Sequence, residues 1–341
     1  MSRIRYHQLS ASEKTAYDVF TQAFNNRELT VSLSSVPADV DVRKVMDAAI
    51  GDQPQVFYFD KSQVHWSVRG HRKTKVFLTG LFPPNQIASM NAELNRAVSA
   101  AIHEIEERCP FTTYEKLLYI YEYLQDHVTY DENEFSVCNQ TGKSGNLMSH
   151  YAYGVLIHHT GVCDGISSAY ALIAQAMGLD CTVISGKSTV RTDTGLDHAW
   201  NIVEIGGRFY HLDATWDVCH KVSIGDYCYE YFCLWDAAIL RDHTWDRQLV
   251  PPCTQEEYSY YKRSGGLIKS IPQMERAFAN IARSKQMTVR IKIMDDLSIP
   301  KPEGQFLAQK LVDISAANGM AKGISYTWND RTRCFYAKFT S

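Results

Sequence analysis

Gly161-Val162-Cys163-Asp164-Gly165-Ile166-Ser167-Ser168-Ala169-Tyr170 is the stretch from which the rest of the chain can be read. Beyond the Gly-Val lead-in, Ile166, Ala169, Tyr170, Ile173, Ala176 and Met177 recur at helical spacing until Gly178, which predicts a buried helix with Cys163 at or beside its first turn. Backbone N–H groups at a helix start point toward such a sulfur, favour its thiolate and offer donors for an oxyanion. An isolated cysteine is more often a small core hydrophobe, so the segments that follow decide the reading.

After Gly178 comes a short β-branched run, Cys181 to Gly186, then a polar loop, then His198-Ala199-Trp200-Asn201-Ile202-Val203-Glu204-Ile205. Gly206-Gly207 turns that strand into Arg208-Phe209-Tyr210-His211-Leu212-Asp213, an antiparallel hairpin signal. A turn centred between residues 206 and 207 sets position 198 opposite about position 215, within a residue or two of Asp213. A carboxylate there can hold one imidazole N–H and fix the tautomer, which leaves the other ring nitrogen for a thiol. Thiol, imidazole and carboxylate in this order are the parts of a nucleophilic triad.

These residues resemble a known family. Gly-Val-Cys-x-Gly at 161 to 165, His-Ala-Trp-Asn at 198 to 201 and Asp-Ala-Thr-Trp-Asp at 213 to 217 are similar to the three blocks of the transglutaminase-like superfamily, a papain-fold group with many bacterial members. The resemblance implies Cys163 as nucleophile, His198 as base and Asp213 as its orienter. It also implies an α+β fold whose papain-like, transglutaminase-like core packs the helix bearing the cysteine on an antiparallel sheet bearing the histidine and aspartate. His211, a competing base on the same strand face as Asp213, lies outside the matching blocks and ranks below His198. In papain-like proteases the position six residues before the cysteine is Gln; here it is Ile157. The second oxyanion donor must then come from elsewhere, and among Tyr153, His150 and Asn146 the reading favours Tyr153. Trp200 and Trp216 are expected as core and pocket walls, since large aromatics chiefly supply buried area.

A weaker likeness spans about 110 to 262, and smaller α+β domains are expected on either side. The divisions are 1–108, 109–263 and 267–341, with Ser264-Gly265-Gly266 as the linker. In the first part the patterns predict a helix over 12–25, a three-stranded meander over 55–59, 64–68 and 75–79, and a long helix to about 107. In the last they predict a helix over 274–282, a strand over 288–293, a helix over 304–317, and a hairpin of 324–328 with 334–339 about Asn329-Asp330.

With 341 residues and a net charge of −3, the chain is long enough for two or three cores and is a poor match for nucleic acid. No long apolar run predicts a membrane span and no apolar segment follows Met1 to His7, so a cytoplasmic location is expected, with an exported form whose leader has been removed as the alternative. Nine irregularly spaced cysteines fit a reducing compartment. Histidines and cysteines are dense between His158 and Cys233, but no C-x-x-C or H-x-x-x-H pair occurs. Cys228-x4-Cys233 would point to opposite strand faces, so neither metal nor cofactor is expected. The expected function is thiol-dependent acyl transfer at amide bonds of a protein or peptide substrate, with protease or amidase action ahead of amine crosslinking. The alternative is a catalytically silent binding or scaffold protein, and the oligomeric state is undetermined.

Overall fold

The computed structural model describes residues 2–320 and 322–340, and the chain packs as two compact units. The first comprises Met1–Phe232 with His243–Thr254, and the second Cys233–Asp242 with Gln255–Ser341. Residues before and after position 108 thus share one unit, and the Ser264-Gly265-Gly266 stretch lies inside the other, between the short helix Tyr260–Arg263 and the strand Leu267–Ile268. Among the described residues no helix is long and apolar enough to cross a membrane.

The core sheet of the first unit has four antiparallel strands in the order Arg208–Leu212, Leu196–Ile205, Cys181–Ser188, His243–Trp245. The Gly206-Gly207 turn sets the first pair in the register its position dictates, from Ile205↔Arg208 to Asn201↔Leu212. Both turn glycines have positive φ, at 60° and 77°, a backbone that side-chain-bearing residues resist. Trp200, Ile202 and Val203 are wholly buried, so both faces of the central strand are covered. The helix Cys163–Ala176 packs on it through Asn201, whose Nδ2 donates to Ser167 O at 2.9 Å and to Thr182 O at 3.3 Å, joining the helix to two strands at once. On the far side of that helix lies Thr113–His127, begun by a Thr112/Glu115 capping box; Tyr170 Oη donates across to Leu117 O at 2.8 Å.

The N-terminal segment contributes the helix Ala11–Asn26 and a three-stranded sheet in the order Thr30–Ser32, Arg72–Gly80, Phe59–Arg69. The expected meander is corrected here. Residues 55–58 form no strand, 64–68 belongs to a single long strand from Phe59, and the third strand is Thr30–Ser32, too short to carry an alternation signal. The helix Val42–Gly51, capped by Asp41, also escaped the sequence reading.

In the second unit a four-stranded sheet has the order Leu267–Ile268, Thr288–Ile293, Cys334–Phe339, Ile324–Asn329. Its first pair is parallel and the rest antiparallel. The helices Ile271–Arg283 and Glu303–Ala317 bury Phe278, Leu307 and Leu311 against Val289, Ile291 and Phe335. The hairpin turns later than Asn329-Asp330, because Asn329 Oδ1 accepts from the amides of Arg331 and Thr332 and makes a longer loop.

Two glycines of the cysteine segment are required by close approach. A Cβ on Gly165 would lie 2.2 Å from Ser149 O, and one on Gly161 would lie 2.4 Å from Val155 Cγ2. Ser149 O already accepts from the Val162 amide at 3.0 Å, which pins the chain just before the helix. Alanine is the better helix former by about 1 kcal/mol. Even so, Gly165→Ala is expected to destabilise the protein by about 2 kcal/mol because the clash is with backbone. A thermal melt should show a midpoint several degrees lower; an unchanged or higher midpoint would contradict the packing account.

Candidate active site

Cys163 is the first residue of its helix, after an extended Val162. The parallel pair Thr129–Tyr130 with Thr160–Gly161 brings the chain to that point, and the Asp131 amide donates to Gly161 O at 3.0 Å. Burial, together with the Asp164 charge, pushes the thiol well above its ordinary value, and the neighbouring backbone N–H groups of Ala199 and Asp164 offset only part of that rise. The helix start was expected to favour the thiolate. It is overridden because the sulfur is desolvated and a carboxylate follows it immediately.

His198 pairs in the sheet with Gly186, not with the hairpin partner strand, whose ladder stops at Asn201↔Leu212. Asp213 reaches it from another element: it is the N-cap of the helix Ala214–Ile224, with Oδ1 accepting from the Thr215 amide at 2.9 Å. Its Oδ2 then lies 2.7 Å from His198 Nε2. The main chain of Asp213 is fixed as well, since its amide donates to Tyr231 O and its carbonyl accepts from Tyr121 Oη at 2.8 Å. Burial would raise this carboxyl, but the two imidazoles of His198 and His243 hold it well below the usual carboxylate range. With Nε2 on Asp213, His198 keeps Nδ1 as the nitrogen for a thiol proton. Among the described residues no hydrogen bond joins the His198 ring to the Cys163 sulfur, and such contacts commonly tighten only when substrate binds.

His243 was missed by sequence reasoning. Its Nε2 lies 3.1 Å from the same Asp213 Oδ2, on the sheet's edge strand His243–Trp245. Trp216 stacks on His198 with ring centroids 4.8 Å apart and 21° between planes, and its Nε1 is 3.4 Å from His243 Nε2. Trp200 is a core residue whose Nε1 donates to His211 Nδ1 at 3.0 Å. That contact occupies His211 in the core rather than at the carboxylate. Over the outer face of Trp216 lies the Arg191 guanidinium, 5.6 Å from the ring and held by two hydrogen bonds to Glu132.

The structure does not bring Tyr153 to the sulfur. Its hydroxyl donates to Glu93 and its ring packs on Phe57 and His158. Asn146 donates to Ser149 Oγ, while His150 lies between two carboxylates, with Nδ1 2.9 Å from Asp164 Oδ1 and Nε2 3.0 Å from Glu134 Oε1. Burial disfavours the imidazolium, but those two charges outweigh it and raise His150 to about 9. Asp164 is correspondingly lowered, against the effect of its burial. The charge beside Cys163 is therefore half of an ion pair at neutral pH. Nothing in the local sequence announces that pair, because 14 and 16 residues separate His150 from its partners.

The chain is similar to several known proteins. Residues 103–214 match the model of the transglutaminase-like superfamily. The kyphoscoliosis peptidase of Mus musculus is 31% identical over 120 residues, covering 30% of this chain and 18% of that protein, so the chain spans less than a fifth of its curated relative. Among solved structures, a TGase covers 52% of this chain and 48% of its own at 15% identity with a TM-score of 0.32. A candidate cysteine protease from Cytophaga hutchinsonii covers 45% and 61% at 12% identity with a TM-score of 0.29.

Proposed function

We propose that Cys163, His198 and Asp213 form the triad of a thiol acyl-transfer enzyme acting on amide bonds, a reading supported by the match of residues 103–214 to the transglutaminase-like superfamily. The observation that carries the reading is the meeting of two elements. Ser167, on the helix that Cys163 begins, sets its hydroxyl 2.7 Å from Cys163 O and 3.0 Å from Ala199 O, beside His198, while His198 Nε2 lies 2.7 Å from the capping carboxylate of Asp213. In the proposed reaction Cys163 Sγ bonds to the substrate carbonyl carbon as His198 Nδ1 takes the thiol proton. The C–N bond then breaks, the leaving amine receives that proton, and a thioester remains. Water attacks the thioester with His198 as base, releasing the acid and restoring the thiol.

Because burial and Asp164 hold the thiol protonated, proton removal coincides with attack instead of preceding it. Water as the acceptor is preferred over an amine because it is ubiquitous, and the peptidase name of the mouse relative agrees with hydrolysis. The substrate class is then a protein or peptide. The raised thiol and the absence of Tyr153 from the sulfur are the observations that favour a silent binding protein. Mass spectrometry of the intact protein with an activated acyl donor separates the two. The expected result is an acyl adduct on Cys163 that is absent in Cys163→Ala, is lost in His198→Ala, and decays in water faster than it transfers to an added primary amine. No adduct on the wild type with several donors would favour the silent reading, and dominant amine transfer would make the protein a crosslinker.

A further inference from the structure

One turn beyond Asp213, the helix Ala214–Ile224 carries a second cluster that the triad does not use. Asp217 and His220 on this helix and Cys228 in the irregular segment after it offer a carboxylate oxygen, an imidazole nitrogen and a sulfur, all within 4.8 Å of one another. His220 Nδ1 lies 3.9 Å from Asp217 Oδ1, 3.7 Å from Glu230 Oε2 and 4.0 Å from Cys228 Sγ. Tetrahedral zinc, with bonds of roughly 2.0 Å to nitrogen or oxygen and 2.3 Å to sulfur, separates its ligand atoms by about 3.3 to 3.8 Å. The three separations from His220 Nδ1, between 3.7 and 4.0 Å, lie within a few tenths of an ångström of that range.

Asp217 supplies an independent sign that something is to be bound. The residue is fully buried, the Tyr121 hydroxyl lies against Oδ2 and the Tyr231 amide donates to it, and Oδ1 has no hydrogen-bond partner. The groups that face Oδ1 are the Cys228 thiol, a weak donor, and the His220 ring. An orphaned carboxylate oxygen in a buried site is costly unless a cation or a donor meets it. The cluster is also held rigid. Gln125 clamps the Cys228 backbone from both sides, donating to its carbonyl at 2.8 Å and accepting from its amide at 2.9 Å. His220, with 28% of its side chain exposed, leaves an entry side.

We propose that Asp217, His220, Cys228 and Glu230 bind a structural zinc ion in a closed tetrahedral site. Binding releases to solvent the Cys228 thiol proton and any proton held by the Asp217 carboxyl, and no other bond changes. The ion ties the helix to the segment that follows it. The Tyr121 hydroxyl, which reaches both the Asp217 carboxylate and the Asp213 carbonyl, carries that restraint to the helix cap. No metal is expected from the sequence, because the ligands are not paired as C-x-x-C or H-x-x-x-H and cysteines 228 and 233 on a strand would point apart. Here the helical half is D-x-x-H and the other half is C-x-E in irregular backbone.

His198, Asp213 and His243 also lie within 4.8 Å of one another, so the test must separate the two clusters. The full-length chain, stripped with a chelator, is titrated with zinc and with cobalt(II). One equivalent of zinc should bind, the cobalt form should show a thiolate-to-metal charge-transfer band, and zinc should raise the thermal midpoint of the wild type. Cys228→Ser should abolish the band, and His220→Gln should weaken zinc by more than about a hundredfold, beyond what the loss of a supporting group costs. Cys163→Ala and His243→Gln should retain both the band and the stoichiometry. Should Cys228→Ser fail to fold, His220→Gln decides, because that side chain is partly exposed. A band that survives in Cys228→Ser or disappears in Cys163→Ala, unchanged affinity in His220→Gln, or no zinc uptake by the folded wild type overturns the proposal.

Discussion

On the proposed mechanism, Asp213→Asn is expected to lower the rate of acylation at Cys163 by about four orders of magnitude while the protein stays folded. Asparagine keeps the shape of the side chain and can still accept from the Thr215 amide, so the cap of the helix Ala214–Ile224 survives. What changes is the group at the Oδ2 position. The carboxylate there accepts from His198 Nε2 at 2.7 Å and lies 3.1 Å from His243 Nε2, so it fixes the proton of His198 on Nε2 and leaves Nδ1 unprotonated. An amide NH2 in that place would favour the opposite tautomer, with Nδ1 protonated and unable to take the thiol proton. Because the two imidazoles hold Asp213 well below the usual carboxylate range, the wild-type rate should show no acid limb from this group above about pH 4. Asp213→Ala should add a loss of stability of about 1 to 2 kcal/mol for the missing cap, beyond any cost of leaving two buried histidines without their acceptor. Adduct formation followed by mass spectrometry, with urea melts of both variants, measures the two effects. A loss of less than tenfold in Asp213→Asn would remove Asp213 from the triad.

The contrast between His198 and Asp213 shows what the sequence made legible. The cysteine helix and the glycine-closed hairpin follow from short-range pattern, since period 3.6 after Cys163 and a Gly-Gly turn leave little choice of element or register. The order of thiol, imidazole and carboxylate was likewise readable. The route by which Asp213 arrives was not: alternation put it on a strand, whereas its side chain does better capping the helix that starts at Ala214. His243 sits 30 residues from Asp213, and its edge strand of three residues is too short to carry a period. The same holds for Thr30–Ser32 in the N-terminal sheet. Long-range polar contacts leave no trace in hydrophobic pattern, and for that reason the surroundings of the proposed triad were less legible than its three residues.

His150→Gln is expected to destabilise the protein by roughly 2 to 3 kcal/mol near neutral pH, with a pH dependence that identifies the cause. His150 bridges Asp164 and Glu134, with the Cys138 sulfur 3.8 Å from Nε2 and Lys61 Nζ 3.4 Å from its carbonyl. Glutamine fills similar volume and can hydrogen-bond, but it brings no charge, so two carboxylates lose their cation. The folded-state pKa of about 9 lies above the ordinary histidine value of 6.5. A raised pKa means that the folded protein holds the proton more tightly than the unfolded chain, so the stabilisation is fully present below about pH 6.5 and disappears as pH rises through about 9. Wild-type stability should therefore fall across that window while His150→Gln changes little, and the gap between the two proteins should close toward pH 9. On the acid side the contribution fades only as Glu134, held at about 2, and Asp164, also lowered, take up protons. The same substitution leaves Lys61 as the remaining cation acting on Asp164, so more of that charge reaches Cys163, pushes the thiol further up and should slow its alkylation by iodoacetamide at neutral pH. Urea midpoints of both proteins at three pH values, with alkylation rates alongside, test the pair. A gap that stays constant or widens with pH would mean that His150 acts through packing, and an unchanged alkylation rate would detach the ion pair from the nucleophile.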